Sequence, residues 1–579
     1  MMKKLVLAAL VLAVSLTASG VPAIPKMKSF IQSDGSTITV GMRGDEWFSS
    51  VVTTDGYTVG VGANGDYYYK TLAGLTPMRA HDVARRDAAE RAFLSENGEM
   101  LTMKYQAASL QRSGRVLAPP RRVGTTQVPT HGSPRIPILL VQYTDKQMSN
   151  PKSTFIAQYT SGERSAYQYF ADQSWNQYQP QFDVYGIYNL PSNRATYGAH
   201  GTLKGVEFKD VGLGQMVIDA ITQAGDEIDW SLYDNDNNGD VDVCIVVYAG
   251  VGEAQAYGRI PDAVWPCQWN LSSAAYYGDG DGPVNRNEKS INRFAVFNEV
   301  TGSNDRGTQI DGVGTFCHEF SHCLGLPDFY ETTYVNDYYG MGSWSIMCSG
   351  CYNNDGYTPC GYTAYEKNFM GWMNLTNAVP NTQYTLDHIA DEGAQAVKIT
   401  SKSNANEYYI LENRQQEGWN AYIASSGLMV THVTYNASAW SSNTVNNTAV
   451  QRMTIIPADN SLQTYDEYGD LYPCNDNNQL TDESTPAATL HSGGMMGQPV
   501  TKIMKEGSKV SFYFIEGEPN LFGDVNLDGF VDVADVNILI NIILQRDEAE
   551  NYGRRAYITN DDVVDVSDVN ALINIILAQ

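Results

Sequence analysis

At 579 residues the chain is long enough for roughly three or four domains, and its formal net charge of −27 argues against nucleic acid as a partner. An acidic balance of this size also suits calcium binding, which several Asp- and Asn-rich stretches support. Eight cysteines, the first at Cys244, leave the disulfide pattern open. Cys351 and Cys360, across a short Gly- and Asn-containing loop, are the one expected pair.

The N-terminus reads as a signal peptide over residues 1–23. Lys3 and Lys4 precede an apolar run at 5–16, and the small residues Ala18, Ser19, Gly20 and Ala23 follow. That run is too short for a comfortable span, and no later stretch is apolar enough, so no membrane span is expected. The mature protein is expected to be secreted and extracellular.

Residues 24 to about 80 predict a small β-rich unit. Turn signals recur at Asp34-Gly35, Gly44-Asp45, Asp55-Gly56 and Asn64-Gly65, with strand-like runs between them. A helical stretch at about 80–95 follows. Residues 111–127 carry Arg112, Arg115, Arg121 and Arg122 among Gly, Pro and Ser, an exposed basic linker suited to proteolysis. Residues 24–120 are therefore read as a prosegment. It holds no cysteine, so a thiolate cannot silence a metal from here. A carboxylate can, and Asp45 in the turn 43–46 is the candidate latch.

The catalytic domain is expected over 121–379. Residues 136–143 form a buried-strand pattern, 182–188 alternate like a strand, and 214–224 are helical. In 234–242 the oxygen donors Asp234, Asp236, Asn238, Asp240 and Asp242 fall at alternate positions, with Gly239 for a sharp turn. That is calcium-loop spacing, without the usual twelfth-position acid, since Ile245 stands there. The strand-like run 241–248 ends in a Gly-rich turn and is a candidate cleft rim for strand addition by a peptide.

Residues 318–328 read H-E-F-S-H-C-L-G-L-P-D. On a helix, His318 and His322 share a face one turn apart and can share a metal. Glu319 projects to the side of that face, where it can act on water without taking a ligand position. Gly325 can leave the helix left-handed and Pro327 cannot continue it, so Asp328 arrives from a new direction as third ligand. A fourth position stays open, as a catalytic zinc needs. Glu366 is the alternative third ligand, disfavoured by the short Gly325-to-Asp328 spacing. Downstream, Met347 sits in the tight stretch 342–350 and is the candidate for a methionine turn flooring the metal. Tyr338, Tyr352 and Tyr362 are the candidate oxyanion donors. Cys317 and Cys323, beside the histidines, are expected to be small buried residues.

By these motifs the chain resembles the immune inhibitor A family of secreted zinc metallopeptidases. The likeness rests on D-G-Y-T-V (55–59), D-N-D-N-N-G-D-V-D (234–242), C-H-E-F-S-H-C-L-G-L-P-D-F-Y (317–330), W-S-I-M-C-S-G (344–350), E-N-R-Q (412–415) and G-L-M-V-T-H-V (427–433). It implies zinc-dependent cleavage of protein and peptide substrates, secretion as a zymogen and calcium for stability. Carried over, His318, His322 and Asp328 are the zinc ligands and Glu319 the general base.

Residues 380–517 alternate apolar and polar with many turns and predict a β-sandwich-like domain. His388, His432 and His491 are scattered there and are expected to be structural. At the C-terminus, 531–544 recurs at 564–577 with twelve of fourteen positions identical. Before the first copy, Asp524, Asn526, Asp528, the Phe530 carbonyl, Asp532 and Asp535 fill calcium-loop positions. Residues 518–579 so resemble a type I dockerin, which implies a cohesin module as partner. In the second loop Tyr557 stands at the first position, where an Asp is expected.

The expected fold class is thus α+β and multidomain: a metzincin-like zinc-peptidase domain, a β-rich prosegment, a β-sandwich-like domain and an α-helical, calcium-binding dockerin. The leading function is a secreted zinc endopeptidase, with zinc and calcium as cofactors, tethered through its dockerin. The rival is a non-catalytic cell-surface binding or scaffold protein with a vestigial peptidase domain. The intact Glu319 favours the first.

Overall fold

The computed structural model describes residues 19–112, 128–514 and 523–578, apart from Asp305, Asp337, Thr464, Tyr465, 527–529, Asn560 and Asp562. The apolar run 5–16, Arg115, Arg121, Arg122 and Asp528 lie outside the described residues. Ser19 to Ala23, assigned above to the leader, are described and enter the fold. The chain is mixed α and β and forms two compact units. The first comprises Met1–Met373, Glu417–Ile423 and Asn436–Met453, the second the remainder. The first unit therefore takes two pieces of chain from the stretch expected to be the sandwich.

In the first unit, six antiparallel strands between Lys28 and Arg79 pair in sequence order. Their turns fall where the sequence marks them, and Gly56 and Gly65 adopt the positive φ that such turns require. Two helices, Ala88–Asn97 and Met103–Arg112, close this sheet.

The second sheet of the unit carries the site. Its strands are β1 (Ser19–Gly20), β2 (Arg135–Gln142), β3 (Gln181–Asn189), β4 (Cys244–Val251), β5 (Cys267–Asn270) and β6 (Arg293–Val300). The spatial order is β1-β5-β6-β4-β2-β3. The pairs among β2, β3, β4 and β6 are parallel, whereas β5 runs antiparallel to β6. Every residue of β4 is buried, as a continuous apolar run in a two-sided sheet demands. Because β4 lies between β6 and β2, it has no edge to offer, and its Gly-rich end is not a rim for strand addition.

On one face packs helix α1 (Leu213–Ala224), whose Met216, Val217, Ala220 and Ile221 are fully buried. Helix α2 (Val313–Cys323) is buried along its whole length. Phe316 and Phe320 on it meet Phe182 of β3 at ring distances of 5.2 and 5.4 Å, and Phe316 meets Phe297 of β6 at 4.8 Å. Burial of each such ring contributes on the order of 2–3 kcal/mol, so the helix is held against the sheet by its aromatic face. A Cβ at Gly314 would run into the carbonyl of Cys351, which is why the helix can approach that segment so closely.

In the second unit, a sheet with inner strands Val397–Thr400, β7 (Glu407–Arg414) and β8 (Gly427–Thr434) shares one core with a three-stranded sheet ordered Thr382–Leu386, Lys509–Phe514, Val500–Glu506. Val397, Leu411 and Val430 on one side and Leu386, Val510 and Phe512 on the other form that core, a two-layer arrangement. At its C-terminal end, helices α4 (Val533–Ile543) and α5 (Val566–Ala578) enclose Val525, Val531, Leu539, Ile558 and Leu572. (Helix α3, Ala364–Phe369, belongs to the first unit.)

Candidate metal centre

Helix α2 carries His318, Glu319 and His322, and all three are buried. The helix ends as its sequence dictates. Gly325 takes φ +107°, Leu326 N–H closes back on Ser321 O at 3.1 Å, and the chain turns away through Pro327. Asp328 then returns its carboxylate to the histidines. The Nε2 atoms of His318 and His322 lie 3.2 Å apart, and Asp328 Oδ1 lies 3.3 and 3.2 Å from them. Ligand atoms around a tetrahedral zinc, with bonds of about 2.0–2.1 Å, stand about 3.3 Å apart. The three donors so fit the ion in number, chemistry and spacing.

The outer nitrogens explain the orientation. His318 Nδ1 bonds Ile346 O at 2.7 Å and His322 Nδ1 bonds Leu326 O at 2.7 Å. A carbonyl only accepts, so each Nδ1 carries the proton and each Nε2 keeps its lone pair for a metal. Ile346 immediately precedes Met347, whose own carbonyl accepts from Phe329 N–H at 2.8 Å. The methionine stretch thus anchors both ends of the ligand set. Burial lowers the His318 pKa, favouring the neutral ligand form. Burial would raise the Asp328 carboxyl, but His322 and His318 beside it hold it well below the usual carboxylate range.

Asp328 has a further partner that no local pattern in the sequence marks. Asn443 donates from Nδ2 to Asp328 Oδ2 at 2.5 Å and accepts from Asp328 N–H at 2.6 Å. Asn443 lies in the 436–453 piece that joins the first unit. Tyr330 and Tyr334 also stand beside Asp328, and in a chain with 37 tyrosines nothing local marks them.

Other candidates lie elsewhere. Glu366 caps α3, bonding Thr363 N–H at 2.6 Å and Ser345 Oγ at 2.5 Å, and is not grouped with the histidines. Tyr362 bonds Ser321 on the back of α2, and Tyr338 Oη reaches Ala449 O at 2.7 Å, so neither hydroxyl is directed at the ligand set. Tyr352 Oη donates to Pro22 O at 2.7 Å, and burial first, then neighbours that include Glu319, push its phenol far up. No disulfide joins Cys351 to Cys360; Cys351 Sγ instead donates to Cys348 O at 3.3 Å. Cys317 and Cys323 are fully buried, and burial pushes the Cys323 thiol up to about 12. Asp45 is buried, accepts from Trp47 N–H and Phe48 N–H at 2.9 and 3.1 Å, and meets Tyr334 Oη at 3.1 Å.

In the loop 234–242, Asp234, Asp236 and Asp242 group together, while Asn238 and Asp240 serve the turn. Lys289 Nζ sits 2.6 Å from Asp234 and supplies a positive charge there. In the C-terminal repeat Asp535 accepts from Val525, Asn526 and Asp532 N–H at 2.8–3.0 Å. Asp568, one repeat later, accepts from Thr559 and Asp565 N–H at 2.9 Å each. The 33-residue repeat is therefore also a repeat of hydrogen bonds.

One grouping was not expected. His432 Nε2 and Glu407 Oε1 lie 2.9 Å apart, and the His432 and His491 rings stack at 3.8 Å.

No helix among the described residues is long and apolar enough to cross a membrane. Residues 142–374 match the family model of the immune inhibitor A peptidase M6 catalytic domain. The chain is 26% identical over 235 residues to "Immune inhibitor A" of Bacillus thuringiensis subsp. alesti, covering 36% of this chain and 33% of the relative. It is 28% identical over 223 residues to "Pre-pro-metalloprotease PrtV" of Vibrio cholerae serotype O1, covering 35% and 23%. The chain thus spans a third or less of the curated relatives it matches. The segment that carries the buried histidines, Glu319 and Asp328 is, by these matches, similar to the catalytic domain of peptidase family M6.

Proposed function

We propose that this chain is an exported zinc endopeptidase that hydrolyses peptide bonds in proteins and is made as a zymogen. The convergence of His318 Nε2, His322 Nε2 and Asp328 Oδ1 beside Glu319 carries the reading. Its position inside the peptidase M6 match supports it. When bound by these three residues, zinc supplies Lewis acidity toward water and a scissile carbonyl. Glu319 takes the proton from the attacking water and gives it to the leaving amine. Asn443 holds Asp328 in place, and Ile346 and Leu326 fix the histidine tautomers. Burial of the whole ligand set keeps bulk water from competing for these bonds.

Asp45 is the proposed latch, since Tyr334, to which it bonds, follows Asp328 by six residues. Residues 518–579 are proposed to be a calcium-binding dockerin that tethers the enzyme to a cohesin-bearing partner. Calcium at Asp234, Asp236, Asn238, Asp240 and Asp242 is a second, weaker proposal, because Lys289 already sits on Asp234.

The test is casein cleavage after brief trypsin treatment, beside Glu319→Ala and a zinc chelator. Latent activity that appears with trypsin and is lost in both controls is the expected result. Absence of bound zinc would sink the reading in favour of the scaffold protein.

A further inference from the structure

Met347 is followed directly by Cys348-Ser349-Gly350-Cys351. Cys348 stands just before the 3-10 stretch Ser349–Gly356, so the two cysteines are the first and last residues of one tight turn. The end residues of such a turn have Cα atoms within about 7 Å, and a disulfide spans about 4.4–6.8 Å. Cys351 Sγ lies 3.3 Å from the Cys348 carbonyl oxygen, so its sulfur is already folded back on that residue. Cys360 is a second thiol neighbour of Cys351, but it is anchored from elsewhere. Its Sγ packs on Gly350, and its N–H and carbonyl are held by Gly350 O and Tyr169 Oη at 3.0 and 2.8 Å.

The turn is wedged between helix α2 and the carbonyl that aims its first histidine. Ile346 O, two residues before Cys348, accepts from His318 Nδ1. Cys351 O lies against α2 at Gly314, with no room between them for a Cβ. Ser345 ties the near end, its carbonyl accepting from Cys348 N–H and Gly350 N–H at 3.2 and 3.0 Å, and its hydroxyl from Met347 N–H at 3.0 Å. Slack anywhere from 346 to 351 would therefore reach the His318 ring.

We propose that Cys348 and Cys351 are joined by a disulfide in the exported chain, and that this bond sets how firmly the metal centre holds its ion. The proposal rests on the export and zinc readings above and adds a covalent modification beside that site. Both residues are thiols in this structure, and a two-electron oxidation joins them. A small disulfide oxidant of the exporting compartment supplies the exchange. The Cys348 thiolate attacks one sulfur of the oxidant, which gives a mixed disulfide and releases one thiolate. The Cys351 thiolate then attacks Cys348 Sγ; the new bond forms and the second oxidant thiolate leaves. Each cysteine gives up one proton, the two released thiolates take them, and the oxidant ends as two thiols. Burial pushes the Cys348 thiol up to about 11 and raises that of Cys351 as well. Thiols so placed exchange slowly, so the bond forms before α2 closes over the turn and is shielded afterwards.

Full-length Glu319→Ala protein, recovered after export, is denatured, alkylated without reductant and mapped by peptide mass. Every cysteine except Cys348 and Cys351 is expected to carry the label, and the peptide holding those two to be lighter by two hydrogens than its reduced form. A full set of labelled cysteines, or Cys360 in the bond, overturns the proposal. Cell fractionation separates a chain that left the cell reduced from one that never left it. The second case sinks the export reading and moves the test to the chain refolded in a glutathione redox buffer, where free thiols overturn the proposal. In chelator competition, the chain refolded in a phosphine reductant is expected to hold zinc about tenfold less firmly than the oxidised chain. Cys348→Ala with Cys351→Ala is expected to show the weak value under both conditions, and Cys360→Ala to keep the difference. Should the double variant fail to fold, Cys348→Ser alone is measured in its place, with the same expectation. Equal zinc affinity of the oxidised and reduced parent overturns the link to the metal centre. A mapped bond in a chain that takes up no zinc would sink the zinc reading and leave the disulfide standing.

Discussion

Among the described residues two groups have similar composition, each with two histidines and a carboxylate. In the first unit the His318 and His322 rings stand at 88° with centroids 4.8 Å apart, so their Nε2 atoms converge on Asp328. In the second unit His432 and His491 stack at 20° and 3.8 Å. Stacked rings direct their lone pairs side by side and cannot both address one ion in plane. The carboxylates differ as well. Asp328 presents Oδ1 to the histidines while Asn443 holds Oδ2. Glu407 is taken by His432, His491 N–H and Ser492 N–H. The two candidate groups also differ in the partner on the far side of each ring. Two backbone carbonyls aim His318 and His322 inward, whereas His491 Nδ1 is tied to Thr434 Oγ1 at 2.8 Å within the sandwich.

The comparison is broken most sharply at Glu319. Glu319→Gln is expected to lower kcat/KM for casein by about a thousandfold with zinc still bound, as a lost general base does. Zinc content by mass spectrometry separates the two clusters next. His322→Ala is expected to remove the bound zinc, while His491→Ala leaves it stoichiometric. A smaller effect belongs to Asn443→Ala, which should weaken zinc affinity by about 10–100-fold in chelator competition, since it frees the third ligand to swing. The smallest is a pH effect in the second unit. Burial opposes ionisation of Glu407, but His432 and the His491 and Ser492 donors overcome it, lowering its pKa from 4.5 to about 2. A depressed carboxylate stabilises the fold above its unfolded pKa, and that contribution is lost as pH falls through the window from about 4.5 to 2. Glu407→Gln should therefore narrow the difference in Tm between pH 6 and pH 3.

The sequence was most legible where chemistry is local. The His318–His322 spacing, the left-handed Gly325 and the return of Asp328 all follow from one helix and its termination. The alternation of 380–517 and the 33-residue repeat were readable for the same reason, since period and recurrence are properties of neighbours in sequence. Partners at long range were not. Asn443 stands 115 residues from Asp328, and no periodicity links them. Edge and centre of a sheet are likewise decided by pairing order, so β4 resembled a rim strand although it lies inside the sheet. Glu407, His432 and His491 meet only because β7 and β8 pair and a later turn folds onto them.

Asn443 also imposes an order of events. A chain that emerges N-terminus first exposes His318, His322 and Asp328 long before residue 443 exists to steady them. The three candidate ligands all come from α2 and its turn, but a fragment stopped at residue 379 would lack the clamp on Asp328 however well its sheet formed. The clamp on Asp328 is thus available only once about three quarters of the chain has been made, and a chain truncated before residue 443 lacks it.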